Sequence, residues 1–206
     1  MTKERLKSPR VRLFVALDLP MTVREGIAAW GGSALRDPAL RPVPTEALHV
    51  TLAFLGWRPE RDVRRAAEVL HRVRAPAPRI AFEAEPVARP GGCKPARLFA
   101  IEAPSEGTIA LQRDLEAELV EARLYKPEKR PFWSHVTVAR VRREKGERNR
   151  YMRVERPPGP LPAALCEPFG GVRVTLYRSI LRPVGAEYTS LAQVELPTDE
   201  EAAAKR

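Results

Sequence analysis

His49-Val50-Thr51 and His135-Val136-Thr137 repeat one short pattern 86 residues apart: an imidazole, a β-branched apolar residue and a hydroxyl. Residues two apart on a strand share a face, so each motif presents one imidazole and one hydroxyl side by side. Imidazole titrates near neutrality, and of two such rings one can hold a proton while the other does not. That is the pairing required when one group activates a nucleophile and another protonates a leaving group. An anionic phosphate held between the rings favours the singly protonated state. The threonine hydroxyls can donate to its non-bridging oxygens while an arginine neutralises charge that develops there. The third histidine, His71, falls among arginines on the polar side of a helical stretch and reads as solvated.

Other chemistries lack their residues. Two histidines with no Cys, Asp or Glu at ligand spacing make a poor zinc site, so neither a metal nor another cofactor is expected. There is no Gly-x-x-x-x-Gly-Lys phosphate loop and no Gly-x-Ser-x-Gly elbow, which argues against nucleotide triphosphate hydrolysis and against a serine hydrolase. Cys93 and Cys166 stand far apart and alone, offering no disulfide framework.

The elements that must position the motifs can be read from periodicity. Val11–Leu17 is an apolar strand ending at Pro20, and Thr22–Leu35 a helix for which Thr22 is a candidate cap. Leu48–Leu55 is the first motif strand, followed by a helix from Pro59 to about Val73. Ile80–Val87 and Arg97–Ile101 read as strands around a Pro90-Gly91-Gly92 turn, Glu106–Arg123 as a helix, and Trp133–Val141 as the second motif strand. Gly146–Gly170 reads as a long loop, and Val172–Leu181 and Tyr188–Leu196 as strands flanking a Pro183–Gly185 turn. Strict alternation sends Leu48, Val50, Leu52 and Phe54 to the core and His49, Thr51 and Ala53 to the other face. In the second strand it places small Ala139 beside the motif and turns Arg140 toward the core.

A second echo accompanies the first. Arg12-Leu13-Phe14-Val15-Ala16-Leu17-Asp18 recurs as Arg97-Leu98-Phe99-Ala100-Ile101-Glu102, at an offset of 85. Two matches at nearly one offset imply a duplicated half and two α/β lobes, whose internal pseudo-twofold would bring His49 and His135 to face each other across a cleft. Residues 1–10 then form a basic extension, 11–196 a single bilobal domain and 197–206 a polar tail.

Composition agrees with a folded chain. The 206 residues carry a formal net charge of +10, with 44% apolar and 30% charged residues. No apolar run approaches the ~20 residues of a bilayer span, and Met1–Arg12 lacks the apolar stretch of a secretory signal, so a cytoplasmic protein without membrane contact is expected. Lys126–Arg156 alone holds 11 basic residues against four acids, which is either a solvated loop or an electrostatic footprint for nucleic acid.

These residues resemble the 2H phosphoesterase superfamily, and within it the bacterial and archaeal RNA 2′,3′-cyclic phosphodiesterases first described as 2′-5′ RNA ligases. The resemblance rests on Arg12–Pro20, on Leu48–Gly56, on Arg130-Pro131-Phe132 before His135 with Arg140 after it, and on Leu176-Tyr177-Arg178-Ser179 with Gly185 and Tyr188 beyond. It spans Val11–Leu196. Departures are Trp133, where a polar residue is common, and Ser134, where many relatives have proline. Trp133 reads either as a stacking surface for a base or as core packing, and Phe132 likewise.

The resemblance implies an α+β fold: a bilobal duplicated α/β arrangement with two mainly antiparallel sheets facing a central cleft. It implies hydrolysis of RNA 2′,3′-cyclic phosphate ends to 2′-phosphomonoesters without metal. His49 would be the proton donor to the departing 3′ oxygen and His135 the proton acceptor from water. Thr51, Thr137 and Arg140 would hold the phosphate, with Arg130 a second candidate and Phe132 a substrate contact. The partner would be RNA with cyclic phosphate ends, tRNA halves included, met by a monomer. The alternatives are the reverse 2′-5′ ligation of tRNA halves, a smaller cyclic phosphate as substrate, and a nucleotide- or RNA-binding module without turnover.

Overall fold

The computed structural model describes residues 9–92, 94–146, 150–182 and 185–197. Most of the expected N-terminal extension, the tail beyond Pro197, Cys93 and the first two residues of the Pro183–Gly185 turn lie outside them.

In chain order the strands are β1 (Arg10–Asp18), β2 (Leu40–Pro42), β3 (His49–Pro59), β4 (Arg79–Ile80), β5 (Val87–Arg89), β6 (Leu98–Glu102), β7 (His135–Val141), β8 (Phe169–Gly170), β9 (Arg173–Arg182) and β10 (Gly185–Glu195). The helices are α1 (Met21–Ala34), α2 (Asp62–Leu70), α3 (Glu106–Glu121) and the one-turn α4 (Ala163–Cys166). Every strand pair is antiparallel.

The main sheet runs β10-β9-β1-β3-β7-β6-β5, with β2 added to β7. The order explains the two lobes. On one side β10, β9, β1 and β3 form long ladders, and on the other β7 carries β6, β5 and β2. The sheets expected to face a cleft meet at one registered pair, Val50↔Val136 between β3 and β7, which makes them formally one sheet. An antiparallel pair is a local twofold. Its centre lies between the two motifs, so the axis anticipated from the repeat passes between Val50 and Val136.

Amphipathic strands set the layers. In β1, Val11, Leu13, Val15 and Leu17 are buried in the core, and the alternate residues Arg12, Phe14, Ala16 and Asp18 take the cleft face. Leu111, Leu115 and Leu119 give α3 a buried stripe at four-residue spacing, and α3 packs on β3, β4 and α2. The Ser105 side chain caps that helix by accepting the Thr108 N–H at 3.1 Å. Helix α2 packs on β3, β9 and β10.

Several boundaries differ from the sequence reading. Helix α1 opens after Pro20 and has no side-chain cap, so Thr22 lies inside it. Helix α2 is shorter than expected because Pro59 is taken by β3, which runs three residues past Gly56. Gly56 bends there with φ of 70°, a left-handed conformation that glycine adopts without steric cost. The stretch expected as strand Ile80–Val87 pairs only at its ends, as β4 and β5. The long loop contains α4 and β8, and it is pinned by the Trp30 indole N–H donating to the Pro160 carbonyl at 3.0 Å. His71 is exposed, as expected.

Both motif strands break alternation at the same place. In β3 the register against β1 steps from Ala16↔Thr51 to Val15↔Ala53, leaving Leu52 as an extra residue. In β7 the register against β6 steps from Ala100↔Thr137 to Phe99↔Ala139, leaving Val138 extra. Such a bulge puts two successive side chains on one face. Leu52 and Ala53 are both 3% exposed, Val138 and Ala139 are both buried, and the next residue of each strand swings to the cleft. Phe54, expected in the core, is therefore 53% exposed on the cleft side. Arg140, expected to turn inward, turns outward. Ala53 and Ala139 are not beside the histidines at all.

The repeat itself is corrected by one residue. Asp18, Ala16 and Phe14 stand opposite His49, Thr51 and Phe54, whereas Glu102, Ala100 and Leu98 stand opposite His135, Thr137 and Arg140. The structural counterpart of Phe14 is Leu98 and not Phe99, which alternation along β6 turns to the core.

Candidate active site

A cavity of about 470 Å³ lies at the junction of the lobes, within the range of small-ligand sites. It is lined by both motifs, His49, Thr51, His135 and Thr137, and by Arg140. Arg12, Arg41 and Arg182 also line it, Arg182 paired with Glu187 at 3.1 Å, and among the described residues no carboxylate lines this cavity. Arg130 and Phe132 lie outside it. They line an adjoining groove of about 880 Å³ that also reaches Thr51, Phe54 and His135 and carries Arg89, Lys94 and Arg97.

The two histidines are held in the same way. The His49 Nδ1–H donates to the Ala47 carbonyl at 2.8 Å, and the His135 Nδ1–H to the Trp133 carbonyl at 2.7 Å, in each case two residues back along the chain. A carbonyl can only accept, so Nδ1 is fixed as the protonated nitrogen and Nε2 is the one that changes state. In the neutral His49 ring the Thr51 hydroxyl donates to Nε2 at 3.1 Å.

Each ring also leans on an aromatic and an acid, in matching arrangements. Phe14 stacks on His49 with centroids 5.1 Å apart, and Tyr177 stacks on Phe14 at 5.2 Å. Tyr188 closes the edge of His49 at 5.6 Å. The Tyr177 hydroxyl donates to Asp18 at 2.9 Å, and Asp18, 2% exposed, also accepts from Thr175 and Arg173. In the second lobe Trp133 stacks on His135 at 3.7 Å, its indole N–H donates to Glu102 at 2.6 Å, and Arg89 pairs with the same carboxylate at 3.1 Å. Arg89 lies over the indole, 4.5 Å from its centroid. An acid with its arginine thus anchors the aromatic packing around each histidine, through Tyr177 in the first lobe and Trp133 in the second, and each acid occupies the strand position facing its histidine.

This burial sets the titration. Desolvation lowers His49 to about 4, opposed by the Ala47 carbonyl and by the charge of Asp18. Desolvation lowers His135 as well, opposed by the Trp133 carbonyl and Glu102. Tyr177 is pushed up to about 12 by burial and by Asp18, so it remains a hydrogen-bond donor. Both imidazoles are neutral near pH 7 in the empty site, and an anion between them would draw a proton onto one.

The sequence reading placed His49, Thr51, His135, Thr137 and Arg140 together, and they share one cavity. Arg130 and Phe132 belong to the flanking groove. Trp133 stacks on His135 with Arg89 over its ring, and it also lines the flanking groove beside Phe132. The residues missed are Arg12, Arg41, Arg182, Phe14, Phe54 and the two bracing acids. The acids had a signal, since both copies of the first echo end in a carboxylate.

No group of three or more His, Cys, Asp or Glu arranged to hold a metal occurs among the described residues. No helix among them is long and apolar enough to cross a membrane.

Known proteins resemble this chain in sequence and fold. The RNA 2′,3′-cyclic phosphodiesterase of Thermus thermophilus is 33% identical over 192 residues, covering 90% of each chain. The RNA 2′,3′-cyclic phosphodiesterase of Escherichia coli is 30% identical over 131 residues, covering 63% of this chain and 71% of that one. The crystal structure of Escherichia coli LigT complexed with 3′-AMP superposes with a TM-score of 0.69 at 26% identity, covering 92% of this chain and all of that one. The family model of the 2′-5′ RNA ligase superfamily matches residues 20–167. With the duplicated motif strands, the shared cavity and these likenesses in agreement, the chain belongs to the 2′-5′ RNA ligase superfamily.

Proposed function

We infer that the protein hydrolyses RNA 2′,3′-cyclic phosphate ends to 2′-phosphomonoesters. The observation that carries the reading is the pair of imidazoles, each with Nδ1–H tied to backbone, lining one cavity together with arginines and, among the described residues, no carboxylate. Relatives that bear the name RNA 2′,3′-cyclic phosphodiesterase at about this identity support it.

In the proposed reaction His135 takes a proton from water, whose oxygen attacks phosphorus. The bond from phosphorus to the 3′ oxygen breaks, and His49 delivers a proton to that oxygen. The product carries a 2′-phosphate and a free 3′ hydroxyl, and the two histidines end with exchanged protonation states. Thr51 and Thr137 donate to the non-bridging oxygens, and Arg140 offsets the charge that grows on them. The groove with Arg130 and Phe132 takes the adjoining nucleoside. The proposed substrates include tRNA halves, handled by a monomer in the cytoplasm.

The test is a short RNA ending in a 2′,3′-cyclic phosphate, incubated with the protein in EDTA. The expected product is a 2′-phosphate end. Absence of turnover, or strict dependence on added metal, would overturn the reading.

A further inference from the structure

Beyond the catalytic cavity, the strand that carries His49 continues outward with two large exposed rings. Phe54 is 53% exposed and Trp57 is 54% exposed. We propose that Phe54 and Trp57 form a stacking platform for single-stranded RNA on the 5′ side of the cyclic phosphate, so that the enzyme distinguishes a polynucleotide end from a free cyclic mononucleotide. The proposal rests on the function inferred above.

The register puts both rings on one face. Phe54 stands opposite Phe14, and Trp57 stands opposite Arg12, two residues further along β1. Phe14 and Arg12 both line the catalytic cavity. A second register step between these pairs makes Leu55 the extra residue, and Leu55 is buried. Without that step, residues 54 and 57 would fall on opposite faces. The two rings are therefore spaced by two β-steps, roughly 7 Å, about twice the ~3.4 Å rise of stacked bases.

The platform is continuous with the site. β3 is paired to β7 only at Val50, so beyond Thr51 its second edge borders the large groove, which Phe54 lines along with the cavity. A strand whose end is held at the histidines can thus follow β3 outward over Phe54 to Trp57.

The charge is of the right sign. The positions in register at the outer end are Arg10, Arg12, Pro59 and Ser179, none of them acidic, and the groove beside them carries Arg89, Lys94, Arg97 and Arg130 against Glu116 and Glu128. The Arg10 guanidinium donates to the Trp57 carbonyl at 2.6 Å, which holds a cation beside the backbone of Trp57. Trp57 makes no ring contact among the described residues, whereas Trp30 is buried and Trp133 is stacked. Aromatic faces flanked by arginines are the recurring means of holding single-stranded nucleic acid without reading its sequence. A protein partner would also cover exposed rings, but it would have no need of the arginines or of continuity with the cavity.

The experiment compares the wild type with Trp57→Ala and Trp57→Phe on two substrates, 2′,3′-cyclic AMP and an eight-nucleotide RNA ending in a 2′,3′-cyclic phosphate. Binding of the 2′-phosphate-ended octamer is measured in parallel. Trp57→Ala is expected to raise KM and Kd for the octamer about tenfold, with kcat unchanged and hydrolysis of the cyclic mononucleotide unchanged. Trp57→Phe is expected to keep most of the affinity. Equal effects on both substrates, or an octamer Kd that ignores Trp57→Ala, would overturn the platform. If the wild type turns over neither substrate, the inferred function fails, and the octamer Kd still decides the platform by itself.

Discussion

The indole of Trp133 lies flat against the imidazole of His135, with centroids 3.7 Å apart and planes within 15°. The same indole is fixed by Glu102, and Glu102 in turn by Arg89. The second histidine is therefore held from its Nδ1 by backbone and over one face by a ring that cannot rotate freely. A preorganised base loses little on reaching the transition state.

Trp133→Ala should lower kcat about tenfold on a cyclic phosphate substrate with little change in KM, while Trp133→Phe retains most activity. Glu102→Gln removes a charge that raises the His135 titration point, so that point falls further. With His135 as the neutral base of the proposed reaction, the acidic limb of the pH–rate profile should move to lower pH. A stopped assay over a pH series reads both effects, and an unmoved limb would show that Glu102 acts through packing alone.

His49→Ala and His135→Ala should each reduce turnover by about 10²–10⁴-fold, the usual contribution of a placed acid or base. Circular dichroism should show the fold retained. Thr51→Ala, which deletes one hydrogen bond, should cost nearer tenfold. Full activity in either histidine variant would remove that residue from its assigned role.

Both imidazoles are depressed by burial, yet the reaction needs one of them charged. The profile of kcat/KM should accordingly be bell-shaped, with its optimum below the ordinary imidazole value of 6.5. The profile of kcat should lie at higher pH, because the bound phosphate holds a proton in the site. Coincident profiles would contradict this.

The same depression predicts a stability effect. Between the unfolded value of 6.5 and the folded value of about 4, the unfolded chain binds more protons than the folded one. Stability from the buried neutral His49 is therefore complete above pH 6.5 and lost as pH falls toward 4, by about 3 kcal/mol. Denaturant titrations at pH 7 and pH 4.5 should show the drop in the wild type and a smaller one in His49→Ala.

Four arginines lining a cavity with no carboxylate among the described residues should make RNA binding fall steeply with salt. For single strands, each phosphate contact removed reduces the slope of log K against log salt by about 0.7. Arg140→Gln and Arg12→Gln should each flatten the dependence by roughly that amount. An unchanged slope would place those side chains off the phosphates.

Much of this was legible in the sequence, and the reasons are specific. Imidazole and hydroxyl at i and i+2 must share a face of any strand, so the four central groups could be placed without coordinates. The echo of Arg12–Asp18 marked the duplication, and with it the cleft. The bulges were not legible. Leu52 and Val138 are ordinary apolar strand residues, and nothing in their chemistry announces an extra residue in the ladder. Missing them sent Phe54 inward and left Arg140 on the wrong side. Arg41 and Arg182 reach the cavity from β2 and the end of β9, and no local pattern links those segments to the histidines. Trp133 was left as either a surface for a base or core packing, because its contact with His135 depends on a rotamer that spacing does not determine.

The two bulges have a consequence for how a doubled chain acquires unlike halves. Each shifts by one the residue that faces the cleft, at the same distance after its histidine, and that position is filled differently: an aromatic ring at Phe54, a guanidinium at Arg140. The backbone thus retains its ancestral symmetry while the substrate meets two distinct surfaces. A dinucleotide end is itself polar, with a reacting phosphate on one side and a base on the other. A symmetric vessel could seat it in either of two orientations; this one has a bow and a stern.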